Sequence, residues 1–159
     1  MSEDEKWMQQ ALAEAQAAFH EGEVPVGAVV VSGGMIIGRG HNRTERLQDP
    51  TAHAEILAIG AAATHQQSWR LPEASLYVTM EPCSMCAGAL VLARVKRLVF
   101  GARDPKAGGC GSLFNIVQDP RLNHRVEITE GILGEQASEL LRSFFQQLRK
   151  REGGDREGE

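Results

Sequence analysis

The segment that decides the fold covers residues 75–101 and is SLYVTMEPCSMCAGALVLARVKRLVFG. Apolar and β-branched runs predict one strand over Ser75–Met80 and another over Arg97–Gly101. Between them, a stretch of small and apolar residues that begins with two cysteines predicts a helix over Ser84–Ala93. A strand, a helix and a second strand in succession are typical of an α/β domain.

The rest of the chain alternates in the same way. The Ser2-Glu3-Asp4-Glu5 capping box and the helical spacing of apolar residues after it predict a first helix over about Asp4–His20. Before the segment 75–101, the sequence further predicts a hairpin of Val26–Val31 and Met35–Gly40, a loop over 42–52 and a helix over about His53–Thr64. After that segment it predicts a loop over Ala102–Pro120, a short strand near Val126–Glu130 and a helix over about Gly134–Arg149. We therefore expect a mixed five-stranded sheet with helices on both faces.

The composition is that of one globular domain. The chain has 159 residues, of which 42% are hydrophobic and 24% charged, and these values exclude a wholly disordered, collagen-like or coiled-coil protein. We expect a single domain over residues 1–150 and a disordered acidic tail over 151–159. No apolar run approaches the ~18 residues of a membrane span, and the acidic N-terminus is unlike a signal peptide. We therefore expect a cytoplasmic protein without a membrane partner, and reduced thiols for its three cysteines.

The charge is unevenly distributed along the chain. The net charge is −4, but the acidic excess lies in the two tails. Residues 94–125 hold seven basic and two acidic side chains. Such a segment suits contacts with phosphates, although on charge alone a solvated surface is the more common explanation.

Two short motifs carry the chemistry. His53-Ala54-Glu55 is followed, after 26 residues, by Pro82-Cys83-Ser84-Met85-Cys86. Cys83 and Cys86 lie three apart at the start of a predicted helix, where both sulfurs share one face and thiolates are favoured. With a nitrogen of His53 they form a three-ligand set for one Zn²⁺ per chain, and the fourth position is left for water. Three protein ligands are typical of catalytic zinc, whose bound water has a pKa of roughly 7.

Glu55 is the candidate catalytic residue. It lies two residues beyond the histidine, where a carboxylate can face the bound water without binding the metal. There it can take a proton from the water and transfer it to the substrate. This set suits hydrolytic loss of ammonia from an amidine-like ring carbon, by attack of zinc-bound hydroxide.

Other interpretations of the same residues stay open. A closed structural zinc would need a fourth ligand, for which the candidates are Cys110, His41, His65 and His124. A Cys-x-x-Cys pair taken alone can also be redox-active or buried and inert. A Cys-His nucleophile would leave Glu55 and the second cysteine without a role. The glycines of residues 108–111 lack the Gly-Lys-Ser/Thr ending of a phosphate-binding loop, so no nucleotide cofactor is expected.

The His-x-Glu and Pro-Cys-x-x-Cys pair is the signature of the zinc nucleobase deaminases. Beyond it, the chain resembles the bacterial tRNA-specific adenosine deaminases over about residues 4–150. The shared motifs are Glu23-Val24-Pro25-Val26-Gly27-Ala28, His41-Asn42-Arg43, His53-Ala54-Glu55-Ile56, Glu81-Pro82-Cys83-Ser84-Met85-Cys86-Ala87-Gly88-Ala89, Phe100-Gly101-Ala102-Arg103-Asp104, Asn123-His124-Arg125-Val126-Glu127 and Gly131-Ile132-Leu133.

That resemblance implies a three-layer α/β/α fold of the cytidine deaminase type, a homodimer, and conversion of the wobble adenosine of a tRNA anticodon stem-loop to inosine. It implies zinc on His53, Cys83 and Cys86, and proton transfer by Glu55. It further implies that Asn42 hydrogen bonds to the flipped base, that Val26 forms part of the pocket wall, and that RNA is contacted by Arg103, Asp104 and Lys106. Phe144, Phe145 and Arg149 are further candidates for RNA contacts, although aromatic residues at that spacing also suit a core.

Two competing functions remain. One keeps the zinc chemistry but acts on a free nucleobase or nucleoside, of the guanine or cytidine type. The other is a zinc-stabilised RNA-binding module without turnover, for which Glu55 would have no use.

Overall fold

The structure, a computed structural model, describes residues 1–157 and the side chains of residues 1–153. The strands cover Gly27–Ser32 (β1), Met35–His41 (β2), Ser75–Met80 (β3), Arg97–Ala102 (β4) and Glu127–Thr129 (β5). The helices cover Glu3–His20 (α1), Thr44–Leu47 (α2), Ala54–Gln66 (α3), Ser84–Leu92 (α4) and Gly134–Glu157 (α5), and a 3-10 turn covers Ile116–Gln118.

The five strands form one mixed sheet in the order β2-β1-β3-β4-β5. β1 pairs antiparallel with both β2 and β3. β3 and β4 are parallel, as are β4 and β5. The parallel pair β3 and β4 is connected through α4, because parallel strands need a crossover. The predicted mixed sheet is confirmed.

Helices cover both faces of this sheet. α1 buries Met8 and Ala11 against Val29, Tyr77 and Val99 on one face. α5 lies on the same side, where Ala137 packs close to Gly101 of β4. On the opposite face, α3 and α4 bury a larger core that includes Ala54, Ala58, Ala62, Ala87, Leu90, Val30, Val78 and Phe100. The fold is therefore the three-layer α/β/α arrangement expected.

The first helix begins as predicted. The Ser2 hydroxyl caps the helix by accepting the backbone N–H of Glu5 at 3.1 Å, and it donates to the Glu5 carboxylate at 3.1 Å, so Glu5 bonds the Ser2 side chain rather than the Ser2 backbone N–H of a full capping box. The helix ends at His20, and Gly22 follows with φ of 77°, a left-handed conformation that glycine adopts without strain. The Ser2 side chain therefore satisfies a free backbone donor in the first turn of α1.

Glycines in β2 allow α3 to approach the sheet very closely. A Cβ at Gly40 would lie 2.5 Å from the Ala54 carbonyl oxygen and 2.8 Å from the Ala58 nitrogen. A Cβ at Gly38 would likewise meet the backbone of Ala58 and Ala62. The facing residues of α3 are alanines, so helix and strand pack almost backbone to backbone.

Two boundaries differ from the sequence prediction. Residues 44–47, expected to be loop, form the short helix α2, because the buried Glu23 carboxylate accepts the N–H groups of Glu45 and Arg46, each at 2.9 Å. α5 continues to Glu157 rather than ending near Arg149, since no proline interrupts it and charge alone does not end a helix. Residues 151–157 of the expected disordered tail are thus helical, and residues 158–159 lie outside the described part.

Within residues 1–157, no helix is both long enough and apolar enough to cross a membrane.

We predict that Gly40→Ala destabilises the protein by about 3 kcal/mol, because the added methyl would overlap the backbone of α3. The matched control is Gly60→Ala. Gly60 lies within α3 with open space around it, so alanine there should raise stability by about 0.5–1 kcal/mol. Urea denaturation measures both values. A Gly40→Ala variant as stable as the parent protein would contradict the close packing of α3 on β2.

Candidate active site

The site residues gather at one edge of the sheet. β3 and β4 end side by side, with Met80 paired to Ala102, so the residues that follow each strand are neighbours. β1 begins and β2 ends at the same edge, where the Asn42 N–H donates to the Val26 carbonyl at 3.1 Å. In α/β folds the carboxyl ends of parallel strands are the usual place for a ligand.

Three predicted metal ligands meet at this edge. His53 is the N-cap of α3 and Cys83 is the N-cap of α4, and neither side chain makes a capping hydrogen bond. His53 Nδ1 lies 3.6 Å from the Sγ atoms of both Cys83 and Cys86. All three donor atoms lie within 4.8 Å of one another, a spacing that allows one metal ion between them. One nitrogen and two sulfurs form a donor set that suits Zn²⁺.

The electrostatics of the three groups are coupled. Hydrogen bonds that the Cys83 sulfur accepts from Cys86 and from His53 lower the pKa of Cys83 to about 3. The same Cys83 sulfur raises the pKa of Cys86, which is also buried. The hydrogen bond between His53 and Cys83 raises the pKa of His53 above that of a free imidazole. The site therefore already favours one thiolate, and the amino ends of α3 and α4 add favourable partial charge.

Glu55 lies in the first turn of α3 and is only 4% exposed. Burial raises its pKa to about 7, although the nearby His53 opposes that shift. The carboxylate lines the same cavity as His53 and Cys83. A group with this environment can hold or release a proton at neutral pH.

A cavity of about 250 Å³ opens beside the metal ligands. It is lined by Val24, Val26, Asn42, His53, Glu55, Met80, Glu81, Cys83, Asp104, Leu141 and Phe145. The walls combine apolar side chains with a few polar groups, as is usual for a small-molecule site. The cavity therefore adjoins both the candidate ligand set and a buried carboxylate.

Comparison with known proteins agrees with this geometry. Residues 2–149 match the family model of the MafB19-like deaminases. The tRNA-specific adenosine deaminase of Bacillus subtilis (strain 168) is 50% identical over 151 residues, covering 95% of this chain and 94% of the relative. That of Aquifex aeolicus (strain VF5) is 52% identical over 145 residues, covering 91% of this chain and 95% of the relative.

The chain belongs to the tRNA-specific adenosine deaminase family.

Solved structures place this deaminase in the same fold. A structure from a study of A-to-I editing by tRNA:A34 deaminases at the wobble position superposes with a TM-score of 0.83 and 44% identity, covering 86% of this chain and 99% of the other. A guanine deaminase from Nitrosomonas europaea has a TM-score of 0.78 and 27% identity, covering 91% of this chain and 85% of the other. The chain is thus an enzyme with a cytidine deaminase-like fold.

Two predicted base-binding residues of the deaminase line the cavity. Asn42 also has a structural role, since its side-chain oxygen accepts the Ala54 N–H at 2.9 Å. This bond satisfies a free backbone donor at the start of α3 and leaves the Asn42 amide NH₂ as a donor. Val26 is 7% exposed and contributes an apolar surface to the wall of the cavity.

The three residues expected to contact RNA separate into two groups. Asp104 lines the cavity, and its side chain accepts the N–H groups of Lys106 at 3.1 Å and Ala107 at 3.2 Å. Arg103 is exposed and forms two hydrogen bonds with Glu130, at 2.9 and 2.7 Å, outside the cavity lining. Lys106 is exposed and also lies outside that lining.

The other candidate metal ligands do not join the site within the described residues. His41 bridges the carboxylates of Glu14 and Glu21 at 2.9 and 3.1 Å. His124 Nε2 hydrogen bonds to the Val95 carbonyl at 2.8 Å. Cys110 is 3% exposed, and burial raises the pKa of its thiol. His65 lies in the last turn of α3, away from the helix end that carries His53.

Sequence reasoning missed some cavity residues. Leu141 of α5 lines the cavity although no motif pointed to it, and Phe145, predicted only as a possible RNA contact, lines it as well. Glu81 lies beside the cysteine motif and is buried. A charged residue between an apolar strand and a proline is the one signal that could have pointed to it.

We predict that Asn42→Ala lowers the free energy of unfolding by about 1 kcal/mol, because the Ala54 N–H would lose its acceptor. Asn42→Asp keeps an acceptor oxygen and should remain within about 0.5 kcal/mol of the parent protein. Urea denaturation distinguishes the two. An equal loss in both variants would mean that this hydrogen bond does not support α3.

Proposed function

We propose that this deaminase converts adenosine to inosine at the wobble position of a tRNA anticodon, by zinc-dependent hydrolysis. The observation that carries the proposal is the buried Glu55 carboxylate in a cavity that also presents His53 and Cys83. The identity of 50% to a tRNA-specific adenosine deaminase over 95% of the chain supports the substrate class.

His53, Cys83 and Cys86 would hold the zinc ion. Their donor atoms converge, they include two sulfurs and a nitrogen, and one of the thiols is already acidified. When bound there, zinc supplies Lewis-acid chemistry that makes water ionise near neutral pH. With three protein ligands, one coordination position is left for that water.

Glu55 carries the proton transfers. In the net reaction water adds at the C6 carbon, the C6–N bond breaks, and ammonia leaves. The carboxylate accepts a proton from the attacking water and donates it to the ring nitrogen next to C6. It then accepts the remaining proton from the new C6 hydroxyl and transfers it to the leaving amine, so that ammonia departs and the C6 carbonyl forms. Burial among cavity residues keeps bulk water from competing for these protons.

The cavity holds a single base rather than a nucleic-acid strand. Its volume of about 250 Å³ suits one flipped purine, with Asn42 offering its NH₂ group and Val26 an apolar surface. An anticodon loop can present such an unstacked base. Asp104 at the wall, followed by Lys106, and Arg103 beside it would then contact the flanking RNA.

The proposal includes a cytoplasmic homodimer. A tRNA substrate favours the cytoplasm. The resemblance of the sequence to the family implies the homodimer, and Trp69, Leu92 and Phe114, which are 64%, 70% and 54% exposed, are candidate contact residues.

Deamination of a free nucleobase is the alternative. A guanine deaminase shares the fold at 27% identity, against 44% for the tRNA:A34 deaminase structure. The higher identity favours the tRNA substrate.

We expect purified protein to contain about one zinc per chain, measured by inductively coupled plasma mass spectrometry. Cys83→Ala and Cys86→Ala should each lose the metal, because two ligands hold zinc much more weakly than three. Cys110→Ala is the matched control, since this third cysteine is also buried but lies outside the ligand cluster, and it should keep the metal. Zinc retained in either of the first two variants would refute the ligand assignment.

The substrate is tested by incubating the zinc-loaded enzyme with an anticodon stem-loop that has adenosine at the wobble position, and separately with adenosine, cytidine and guanine. We expect inosine from the stem-loop at the highest kcat/KM. Glu55→Ala should lose about 10²–10⁴-fold in kcat yet keep its zinc, because the carboxylate moves protons without binding metal. Glu73→Ala, at an exposed position, is the control. Preferred turnover of a free base would overturn the proposal.

A further inference from the structure

Glu81 is a buried carboxylate that the proposed reaction does not use. It follows β3 directly, precedes Pro82 and Cys83, and is 3% exposed. Its oxygens accept four hydrogen bonds, all from residues 104–112. The donors are the N–H groups of Asp104 at 3.0 Å, Cys110 at 3.1 Å and Ser112 at 3.0 Å, and the Ser112 hydroxyl. A carboxylate offers about four acceptor positions, so these bonds fill them.

Residues 104–112 also bind the turn that carries Cys83. The Gly109 N–H donates to the Pro82 carbonyl at 2.7 Å, and Gly108 forms an isolated antiparallel bridge with Cys83. A Cβ at Gly108 would meet the Glu81 carboxylate, so the backbone of the segment lies directly against it. One buried anion therefore connects the cysteine turn with the segment that follows β4.

This connection extends to the cavity wall. Asp104, whose N–H is held by Glu81, lines the cavity together with Glu81 and Cys83. The Asp104 side chain in turn accepts the Lys106 N–H at 3.1 Å. The position of Lys106 therefore depends on where Glu81 holds the segment, whereas the Arg103 guanidinium is held by Glu130.

We propose that Glu81 is a positioning residue for substrate binding, which holds residues 104–112 beside the cavity so that Lys106 contacts the flanking RNA while the base occupies the cavity. The RNA part rests on the proposed function, whereas the holding of the segment rests on the hydrogen bonds alone. A neutral amide cannot replace the carboxylate, because a glutamine has one acceptor oxygen and turns its NH₂ group toward N–H donors.

The test compares Glu81→Gln with the parent protein, both loaded with zinc. We expect KM for the anticodon stem-loop to rise about tenfold while kcat changes less than about threefold, because the change affects binding rather than proton transfer. Zinc should stay near one per chain. Amide hydrogen exchange should become faster in residues 104–112 and stay unchanged in β1. The control Glu73→Gln removes the same charge at an exposed position and should leave KM unchanged.

Three results would overturn the proposal. They are an unchanged KM, a loss of zinc with a collapse of kcat, or unchanged exchange in residues 104–112. If Glu81→Gln does not fold, Ser112→Ala removes part of the same network and should shift KM and exchange in the same direction by a smaller factor. If the parent enzyme fails to deaminate the stem-loop, the proposed function fails, and the exchange measurement still decides whether Glu81 holds the segment.

Discussion

The close contact between α3 and β2 is the constraint on which the site depends. Gly38 and Gly40 have no side chain to separate strand from helix, and alanines face them from α3. The helix axis is therefore set by backbone contact, and its first residues arrive at the edge of the sheet. His53 and Glu55 are placed by this packing, one at the cap and the other in the first turn. A larger residue in the strand would move both groups together.

The parallel pairing of β3 and β4 places the second half of the site. Met80 and Ala102 are register partners, so the cysteine turn and the segment after β4 leave the sheet side by side. The hydrogen bond from the Glu81 N–H to the Ala102 carbonyl, at 2.8 Å, continues that pairing one residue further. Two helices thus begin at one point, and both present a ligand at the N-cap. Because those side chains make no capping bonds, they are left to bind each other or a metal.

Buried carboxylates serve two purposes in this molecule. Glu23 and Glu81 each accept backbone N–H groups, from α2 and from residues 104–112, so their charge is compensated and they organise loops. Although burial raises the pKa of Glu81, its hydrogen bonds more than offset that effect and keep the pKa below its usual value. Burial is the largest influence on Glu55, and its pKa is raised to about 7. The protein therefore keeps the Glu81 carboxylate ionised and leaves Glu55, beside the cavity, able to exchange protons.

The sequence by itself determined the order of the main elements, the strand Ser75–Met80 and the Ser2 cap of α1, because periodicity and capping are local properties. It also predicted that His53, Cys83 and Cys86 share one site, because their residue types and order match a known metal-binding signature. It also supported the family, through motifs spread along the chain. Only the tertiary structure decided that α2 forms, that Leu141 and Phe145 line the cavity, that Arg103 pairs with Glu130, and that Glu81 holds residues 104–112. Each of these depends on contacts between residues far apart in the chain, which a local pattern does not specify.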